Sequence, residues 1–387
     1  MKIILLCFIF LSFFGKSQVD SLHLGENKLE NIGDSFNQFK NKIDSLKRGE
    51  LTKVRILHIG DSHIQPDNFS GIVRKRFQRK FGNGGRGLVF PYGLAKTNGP
   101  KDFFVSSTTS WTNQWIIHYP FKFNVGLPGI GIKSMLDSGS IRLNFVKDTL
   151  RSPFTKGFIL YSFQHDENGL ISVNQTFKKK SNSNAFDTLF FDFKTLQSQL
   201  EIQYSGSQLL LHATYFENDK PGVIYNASGV AGARYIDYLR NENFVKQLHL
   251  FQPDMLIVSL GTNESFDPTF TVESFRQHVD SMFTIIKNKL PQSTVLITLP
   301  SENYRVKNNV LVQNDRIVII SEILRQESVR YGFSIWDLKK AMGGEGSMLT
   351  WKKSGLVNKD HIHFLRKGYN LQGELLFEAI DKALINP

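Results

Sequence analysis

Residues able to carry out acyl transfer stand directly after apolar segments of this chain or in its polar C-terminal region. Ser62 follows the apolar run 54–59, and Asp360 and His363 stand near the C-terminus. A serine hydroxyl is a weak nucleophile unless an imidazole takes its proton, and a carboxylate best orients that imidazole. Because Asp360 and His363 are three residues apart, one loop can present both side chains side by side. The sequence therefore predicts Ser62 as nucleophile, His363 as base and Asp360 as the orienting group.

Acyl transfer also needs hydrogen-bond donors aimed at the carbonyl oxygen that becomes negative. The backbone N–H of Ser62 can be one donor. Gly232 offers a second N–H with no side chain in the way, and Asn263 offers a side-chain amide that donates without carrying charge. We expect Asp61 to support the turn at Ser62 through hydrogen bonds rather than to transfer a proton.

The elements that must position these residues follow an alternating pattern of strands and helices. Short strands are predicted at 54–59, 223–225, 255–260, 295–299 and 333–336, and helices at 69–81, 233–251, 272–290, 310–331 and 367–384. Strands that are apolar on both faces and separated by helices indicate a parallel sheet covered on both sides. Sites in such sheets form at the carboxyl ends of the strands. The predicted catalytic residues therefore converge on one edge.

A long segment interrupts this pattern at about residues 100–220. Alternating apolar and polar residues predict strands at 141–146, 157–163, 170–177, 188–193, 200–204 and 209–216. Short strands separated by turn residues are typical of an antiparallel sandwich. We interpret the segment as an inserted all-β domain that divides an α/β domain into residues 51–99 and 221–387. In front of it, apolar residues at three- and four-residue spacing predict a helical segment within 19–50.

Four aromatic residues of the insertion raise the question of sugar binding. They are Trp111, Trp115, Tyr161 and Tyr204. Such rings could stack on sugars, but packing within the domain is the more common role of aromatic residues, and we favour it here.

The first 18 residues have the pattern of a signal peptide. Lys2 gives a positive start, the run 3–14 is almost wholly apolar, and 15–18 are small and polar residues suited to cleavage. The run is shorter than the roughly 20 residues that span a bilayer. We expect an exported protein, periplasmic or secreted, without stable membrane insertion after cleavage. The only cysteine, Cys7, would be removed, which excludes disulfides and Cys-based sites from the mature chain.

Charge and motif content narrow the classes of ligand. The chain carries a formal net charge of +12, but its basic residues are spread without an aromatic-basic motif, so nucleic-acid binding is disfavoured. A basic exported protein is attracted to anionic envelope polymers. The histidines show no paired metal-ligand spacing, and the glycine-rich stretch 343–346 lacks the Gly-Lys-Ser/Thr ending of a phosphate loop. We predict neither a metal nor another cofactor.

Four sequence blocks resemble, in order, those of the SGNH (GDSL-like) serine hydrolases. They are Gly60-Asp61-Ser62, Gly232 within 226–233, Gly261-Thr262-Asn263, and the Asp360-x-x-His363 pair. The resemblance covers roughly residues 50–95 and 222–387. It implies a three-layer α/β fold with a five-stranded parallel sheet. It also implies a triad of Ser62, Asp360 and His363, and an oxyanion hole formed by Ser62, Gly232 and Asn263.

A closer resemblance is to bacterial peptidoglycan O-acetylesterases. It rests on Gly60-Asp61-Ser62-His63, the stretch 81–87, Gly261-Thr262-Asn263-Glu264 and the tail from Asp360 through Tyr369. Those enzymes carry an inserted β-sandwich related to carbohydrate-binding modules. The resemblance implies an exported O-acetylesterase acting on an acetylated cell-wall glycan. An esterase for another acetylated polysaccharide, an O-acetyltransferase with the same triad and a non-catalytic envelope-binding protein remain alternatives.

Each of the site residues also has a purely structural interpretation. Ser62 could be only a helix N-cap, His363 could be structural, and Gly232 and Asn263 could be turn residues. His361 is the rival base, although it follows Asp360 directly and misses the family spacing. The presence of all four blocks favours the catalytic interpretation for Ser62 and His363.

Overall fold

The central element of the structure, a computed structural model, is a six-stranded sheet. The structure describes residues 22–146, 153–164, 169–181 and 186–385, so the predicted signal peptide lies outside the described residues. In spatial order the sheet is β1-β19-β16-β15-β2-β14. These strands are Leu29–Glu30 (β1), Ser334–Asp337 (β19), Thr294–Leu299 (β16), Met255–Ser259 (β15), Lys53–Gly60 (β2) and Gly222–Gly229 (β14). Five are parallel, as predicted, and β1 adds an antiparallel edge strand.

Helices cover both faces of this sheet because its strands alternate apolar side chains between two cores. Val54 and Ile56 pack into one core with helices Asp34–Lys47 (α1), Asn68–Phe81 (α2) and Arg366–Ile385 (α9). Leu57 and Ile59 face a second core that includes helices Val272–Lys289 (α5) and Arg316–Tyr331 (α6). The result is the three-layer arrangement expected for a parallel sheet buried on both sides.

The inserted segment forms two antiparallel sheets. One has the order β10-β9-β12-β7-β4, and the other β11-β8-β13-β6-β5 with β3 also paired to β13. The bounds are Gly87–Val89 (β3), Phe103–Ser107 (β4), Trp111–Trp115 (β5), Ile130–Ser134 (β6), Gly139–Phe145 (β7), Phe154–Phe163 (β8), Gly169–Val173 (β9), Phe177–Ser181 (β10), Asp187–Gln197 (β11), Gln199–Ser205 (β12) and Leu209–Glu217 (β13). The expected fold class, an α/β domain with a β-sandwich, is confirmed. The exact domain boundaries stay a prediction.

The sandwich and the α/β part share one apolar core and several buried hydrogen bonds. Gln247 accepts a hydrogen bond from the backbone N–H of Leu127 at 2.7 Å. The side chain of Asn241 donates to the carbonyl of Gly126 at 3.0 Å, and the Ser228 hydroxyl donates to the carbonyl of Pro128 at 3.1 Å. Because these bonds join 126–128 to segments next to the sheet edge, the insertion is held firmly beside that edge.

Three of the predicted aromatic residues of the insertion pack inside it. Trp111, Tyr161 and Tyr204 are 5%, 0% and 4% exposed, and Trp111 contacts Tyr204 edge-on. Trp115 is half-buried and donates its ring N–H to Asn113 at 3.1 Å. The packing interpretation is therefore the correct one for the three buried rings.

Four predicted elements differ in the structure, each at residues with positive φ or at a helix break. The N-terminal helix begins only at Asp34, after the extended strand β1 and Asn31 at φ 53°. The strand predicted at 170–177 is instead part of a hairpin that turns at Asn174 and Gln175. The helix predicted at 310–331 begins later, as α6, because a hairpin of Tyr304–Lys307 (β17) and Val310–Gln313 (β18), turning at Asn308 and Asn309, precedes it. The pattern at 233–251 is two short helices, Tyr235–Leu239 (α3) and Glu242–Gln247 (α4), and the 3₁₀ turn Leu248–Phe251.

The described residues also contain two short helices that the sequence pattern did not predict, Leu338–Ala341 (α7) and Ser347–Lys353 (α8). A 3₁₀ turn, Asn263–Phe266, follows strand β15. None of the helices in the described ranges is both long and apolar enough to cross a membrane.

A buried ion cluster joins helix α2 to the start of the insertion. Arg74 forms a bidentate pair with Asp67, at 2.6 and 3.0 Å, and Arg86 contacts both Asp67 and Asp102. Arg74 and Arg86 are 4% and 2% exposed. Removing one partner of a buried ion pair leaves the other charge unpaired in a low-dielectric environment, which is destabilising. The cluster therefore fixes the chain between the first helix and the sandwich.

We predict that Asp67→Asn lowers the free energy of unfolding by about 3–5 kcal/mol, because among the described residues it leaves the two buried guanidinium groups with only the partly exposed carboxylate of Asp102. Asn tolerates the left-handed backbone at Asp67, where φ is 58°, so the loss reports the charge. Chemical denaturation followed by circular dichroism measures it. Glu50→Gln, which removes the exposed partner of Arg48, is the matched control. Equal stability of the two variants would contradict the prediction.

Candidate active site

Ser62 lies in a tight turn where strand β2 ends at the carboxyl edge of the sheet. The carbonyl of Asp61 accepts hydrogen bonds from the N–H groups of Ile64 and Gln65, both at 3.1 Å. The helix that follows starts at Asn68, and its N-cap is Asp67. The interpretation of Ser62 as a helix N-cap is therefore wrong. The turn leaves the Ser62 side chain partly exposed at the sheet edge.

A continuous chain of hydrogen bonds connects Ser62, His363 and Asp360. The Ser62 Oγ lies 2.9 Å from His363 Nε2. On the other side of the ring, His363 Nδ1 lies 2.8 Å from Asp360 Oδ2. Residues separated by about 300 positions in the chain thus meet in the order nucleophile, imidazole and carboxylate. This is the geometry that activates a serine hydroxyl.

The loop around Asp360 keeps its carboxyl group ionised. Partial burial opposes ionisation of Asp360, but the N–H groups of His363 and Ile362 donate to its Oδ1, each at 2.9 Å, and the His363 side chain donates as well. Together these hydrogen bonds hold the pKa of Asp360 below its ordinary value. A carboxylate that stays charged can orient His363 and stabilise its protonated form.

His361 is placed away from this hydrogen-bonded chain. Its backbone has φ 57°, and its carbonyl accepts a hydrogen bond from the N–H of Tyr304 at 3.2 Å. Its ring lies beside the Tyr304 ring, with centroids 6.3 Å apart. His363, and not His361, is the histidine that reaches Ser62.

A second histidine, His63, packs against the ring of His363. The two rings stack with centroids 5.2 Å apart and an interplanar angle of 30°. His63 Nδ1 lies 3.0 Å from the Tyr369 hydroxyl. Burial, with a further contribution from His363, lowers the pKa of His63 to about 3, so His63 is neutral at physiological pH. A neutral stacked ring can restrict rotation of His363 without opposing its protonation.

Asn263 joins the turn of Ser62 to the segment that carries Gly232. Gly232 has φ 83°, a left-handed conformation that favours glycine, and a Cβ added there would lie 3.5 Å from the side chain of Ile117. The amide of Asn263 donates to the carbonyl of Ala233 at 3.0 Å and lies 3.3 Å from Asp61 Oδ2. In this state the Asn263 amide links the turn of Ser62 to the segment that carries Gly232.

Asp61 is buried under this arrangement, with 1% of its surface exposed. Its Oδ1 accepts a hydrogen bond from the N–H of His63 at 2.9 Å. Burial raises the pKa of Asp61 to about 7, although the His63 N–H and the nearby His363 oppose that shift. Through these contacts Asp61 joins the turn to His63 and Asn263.

Two side chains that sequence reasoning did not assign hold the segments of the predicted oxyanion residues, 230–235 and 262–265, in place. Gln65 accepts from the N–H of Ala231 at 2.7 Å, and its amide donates to Asn98. Glu264 accepts from the N–H of Tyr235 at 2.8 Å. Glu264 belongs to the block that the sequence analysis quoted, but only the folded chain places it against a backbone N–H. Gln65 carries no local signal beyond its closeness to Ser62.

The glycine-rich stretch 343–346 holds an internal carboxylate. The N–H groups of Gly346 and Met348 donate to the carboxylate of Glu302, at 3.0 and 3.3 Å, and Lys339 pairs with it. Glu302 is fully buried. The donors that a phosphate would need are therefore already used.

Within the described ranges, no group of three or more His, Cys, Asp or Glu side chains could hold a metal ion.

Comparisons with known proteins agree with this geometry. Residues 206–371 match the GDSL-like Lipase/Acylhydrolase family, a segment that contains the Gly232, Asn263 and Asp360–His363 blocks but not Ser62. A search of curated proteins finds no significant match.

One of the solved structures compared shows the same fold over nearly the whole chain, and two others align over part of it. A peptidoglycan O-acetylesterase superposes with a TM-score of 0.81 at 23% identity, covering 93% of this chain and 99% of that protein. An acetyl xylan esterase matches with a TM-score of 0.33 at 18% identity, covering 41% of this chain and 80% of its own. A GDSL-like lipase from Bacteroides thetaiotaomicron gives 0.32 at 17% identity, covering 42% and 76%.

The family match and the fold define the class of this protein. Residues 206–371 carry the sequence pattern of GDSL-like, or SGNH, acylhydrolases, which are carboxylic ester hydrolases, and the fold is shared with a member of that class. The resemblance seen in the sequence is confirmed, including the likeness to a peptidoglycan O-acetylesterase in which the fold, with its insertion, extends along the full chain.

We predict that Glu264→Gln gains stability relative to the wild type as pH rises from about 4.5 to about 8. Burial raises the pKa of Glu264 from 4.5 to about 8. In that window the folded protein keeps the proton that the unfolded chain has lost, so wild-type stability falls with rising pH. The glutamine is neutral throughout, and its carbonyl can still accept from the N–H of Tyr235.

Thermal unfolding of both proteins at pH 5 and pH 8 measures this effect. Glu378→Gln, at an exposed position on helix α9, is the matched control. A difference between variant and wild type that stays constant with pH would contradict the prediction.

Proposed function

We propose that this protein is an exported esterase that removes O-acetyl groups from a cell-envelope glycan, with peptidoglycan as the favoured substrate. Its proposed catalytic triad is Ser62, His363 and Asp360. The observation that carries the proposal is the unbroken hydrogen-bonded chain from Ser62 Oγ through His363 to Asp360 at the carboxyl edge of the sheet. It supplies a nucleophile, a base and an orienting carboxylate.

In the proposed mechanism, His363 Nε2 takes the proton of Ser62 as Oγ attacks the acetyl carbonyl carbon. Asp360 stabilises the imidazolium that results. The tetrahedral intermediate collapses as His363 donates that proton to the sugar oxygen, which leaves as the alcohol. His363 then takes a proton from water, the hydroxide attacks the acetyl-serine, and acetate leaves as Ser62 regains its proton.

Charge develops on the carbonyl oxygen in both tetrahedral intermediates. The N–H groups of Ser62 and Gly232 and the amide of Asn263 are the proposed donors. The Asn263 amide donates to the carbonyl of Ala233 at 3.0 Å and lies 3.3 Å from Asp61. It donates to the oxyanion by exchanging the longer contact with Asp61, while Ala233 keeps its orientation. One such donor contributes about 2.7–4 kcal/mol in comparable sites.

Three features support an acetylated wall glycan as the substrate. The fold matches that of a peptidoglycan O-acetylesterase along nearly the full length of both chains, insertion included. The formal net charge of +12 would attract the chain to an anionic envelope polymer. The N-terminal pattern of a signal peptide would deliver it to that polymer.

The proposal predicts the substrate range. Acetate release from O-acetylated peptidoglycan should be well above that from acetylated xylan, and Ser62→Ala should release none while keeping the fold. A small chromogenic acetate reports the triad independently of the glycan. Higher activity on acetylated xylan would make xylan, and not peptidoglycan, the proposed substrate. Esterase activity of pure Ser62→Ala protein would contradict the proposed triad. Transfer of acetyl to a sugar acceptor in place of water would indicate the acetyltransferase alternative.

A second prediction concerns the identity of the base. His363→Asn should lower kcat on the chromogenic acetate on the order of 10⁴-fold or more, because His363 is the base that the described part of the chain places within hydrogen-bond distance of Ser62 Oγ. His361→Asn should keep most activity, since asparagine tolerates the left-handed backbone at that position. Comparison of kcat for the two purified variants makes the test. A larger loss in the His361 variant would assign the base to His361.

A further inference from the structure

A cavity of about 320 Å³ lies next to both oxyanion segments. Its lining includes Arg234, which is two residues after Gly232, and Glu264, which directly follows Asn263. Arg240, His278 and Phe270 complete much of its wall. A cavity of this size accommodates a small polar group or one sugar unit. The proposed catalytic mechanism leaves this space unused.

Most charges around this cavity are already neutralised. Arg234 pairs with Asp237 and Asp267. Burial raises the pKa of Glu264 to about 8, so its carboxyl group is neutral at physiological pH. Burial, followed by the nearby arginines, lowers the pKa of His278. Of the two guanidinium groups in the wall, that of Arg240 is the one for which the described residues provide no carboxylate within ion-pair distance.

The insertion holds Arg240 in place without neutralising it. The guanidinium lies over the ring of Tyr119, with its carbon 5.2 Å from the ring centroid. Tyr119 is 60% exposed. Arg240 ends helix α3, and the next residue, Asn241, is hydrogen-bonded to Gly126 of the insertion. A guanidinium stacked on an aromatic ring keeps its N–H fork free for a planar anion.

The same insertion loop reaches the oxyanion glycine. Ile117, two residues before Tyr119, lies 3.5 Å from the position of a Cβ on Gly232. The loop 117–119 therefore connects the proposed oxyanion hole to the ring that lies against Arg240. A substrate whose acetyl group lies at Ser62 would extend along this loop to reach the cavity.

We propose that this cavity is a subsite for a carboxylate of the acetylated glycan, and that Arg240 recognises it. This inference rests on the proposed function, and it identifies the substrate class as an anionic glycan rather than a neutral one. Peptidoglycan carries carboxylates on its peptide stems, whereas a neutral xylan offers none. Arg240 thus acts as a specificity determinant and takes no part in the chemical step.

The test combines a change in the protein with a change in the substrate. Soluble O-acetylated peptidoglycan fragments are used with their carboxylates free or amidated, and the ratio of kcat/KM for the two forms is measured. The wild type should prefer the free carboxylates, and Arg240→Ala should lower that ratio about tenfold. Arg240→Lys should restore part of it, because it keeps the charge but loses the planar fork.

Arg79→Ala is the matched control, because it removes one charge at an exposed position on helix α2. An equal drop in the ratio for Arg79→Ala would show general electrostatic attraction and overturn the subsite. An unchanged ratio in Arg240→Ala would overturn it too.

A binding measurement separates this inference from the proposed function. Ser62→Ala protein, with and without Arg240→Ala, is titrated with the free and amidated fragments. Carboxylate-dependent binding that disappears with Arg240, in a protein whose wild type does not deacetylate peptidoglycan, would support the subsite and overturn only the proposed reaction. Deacetylation with binding that does not depend on Arg240 would overturn only the subsite.

Discussion

The site depends on one steric constraint, the close approach of the Ser62 turn to the neighbouring strand β14. A Cβ at Gly229 would lie 2.5 Å from both the carbonyl oxygen of Asp61 and the N–H nitrogen of Gln65. In β2, a Cβ at Gly60 would lie 2.4 Å from the side chain of Ile64. Gly60 and Gly229 are paired across the two strands, and because neither has a side chain, the turn can pack closely against the sheet. This close packing determines where Ser62 lies relative to His363.

Buried polar groups then fix the segments that this contact brings together. Asp61 ties the turn to Asn263, and Glu264 ties the following residues to Tyr235. Gln65 joins the same turn to the N–H of Ala231. Each group is nearly inaccessible to solvent, where an unmade hydrogen bond is costly. The oxyanion segments therefore have little freedom to separate, which is what pre-oriented donors require.

Sequence reasoning predicted the parts of the fold that local pattern determines. The strands at 255–260 and 295–299 could be predicted because these runs are apolar on both faces, and the Asp360–His363 pair because both residues lie in one loop. The predictions from apolar spacing were wrong where the backbone turns through positive φ, as at Asn174 and Asn308, because that spacing does not report a turn. Strands β4, β5 and β6 were missed; of these, β6 pairs with β13, which lies far along the chain.

The roles of Glu264 and Arg240 could not be predicted from the sequence. Both follow from what a distant segment places beside them, a backbone N–H for Glu264 and an aromatic ring for Arg240. The ring comes from the insertion, whose loop also borders Gly232. If the α/β part supplies the chemistry and this loop supplies one wall of the cleft, changes in the insertion alter substrate choice without touching the triad. Such a division lets one acylhydrolase fold serve different esters, because binding and bond cleavage are built from different segments.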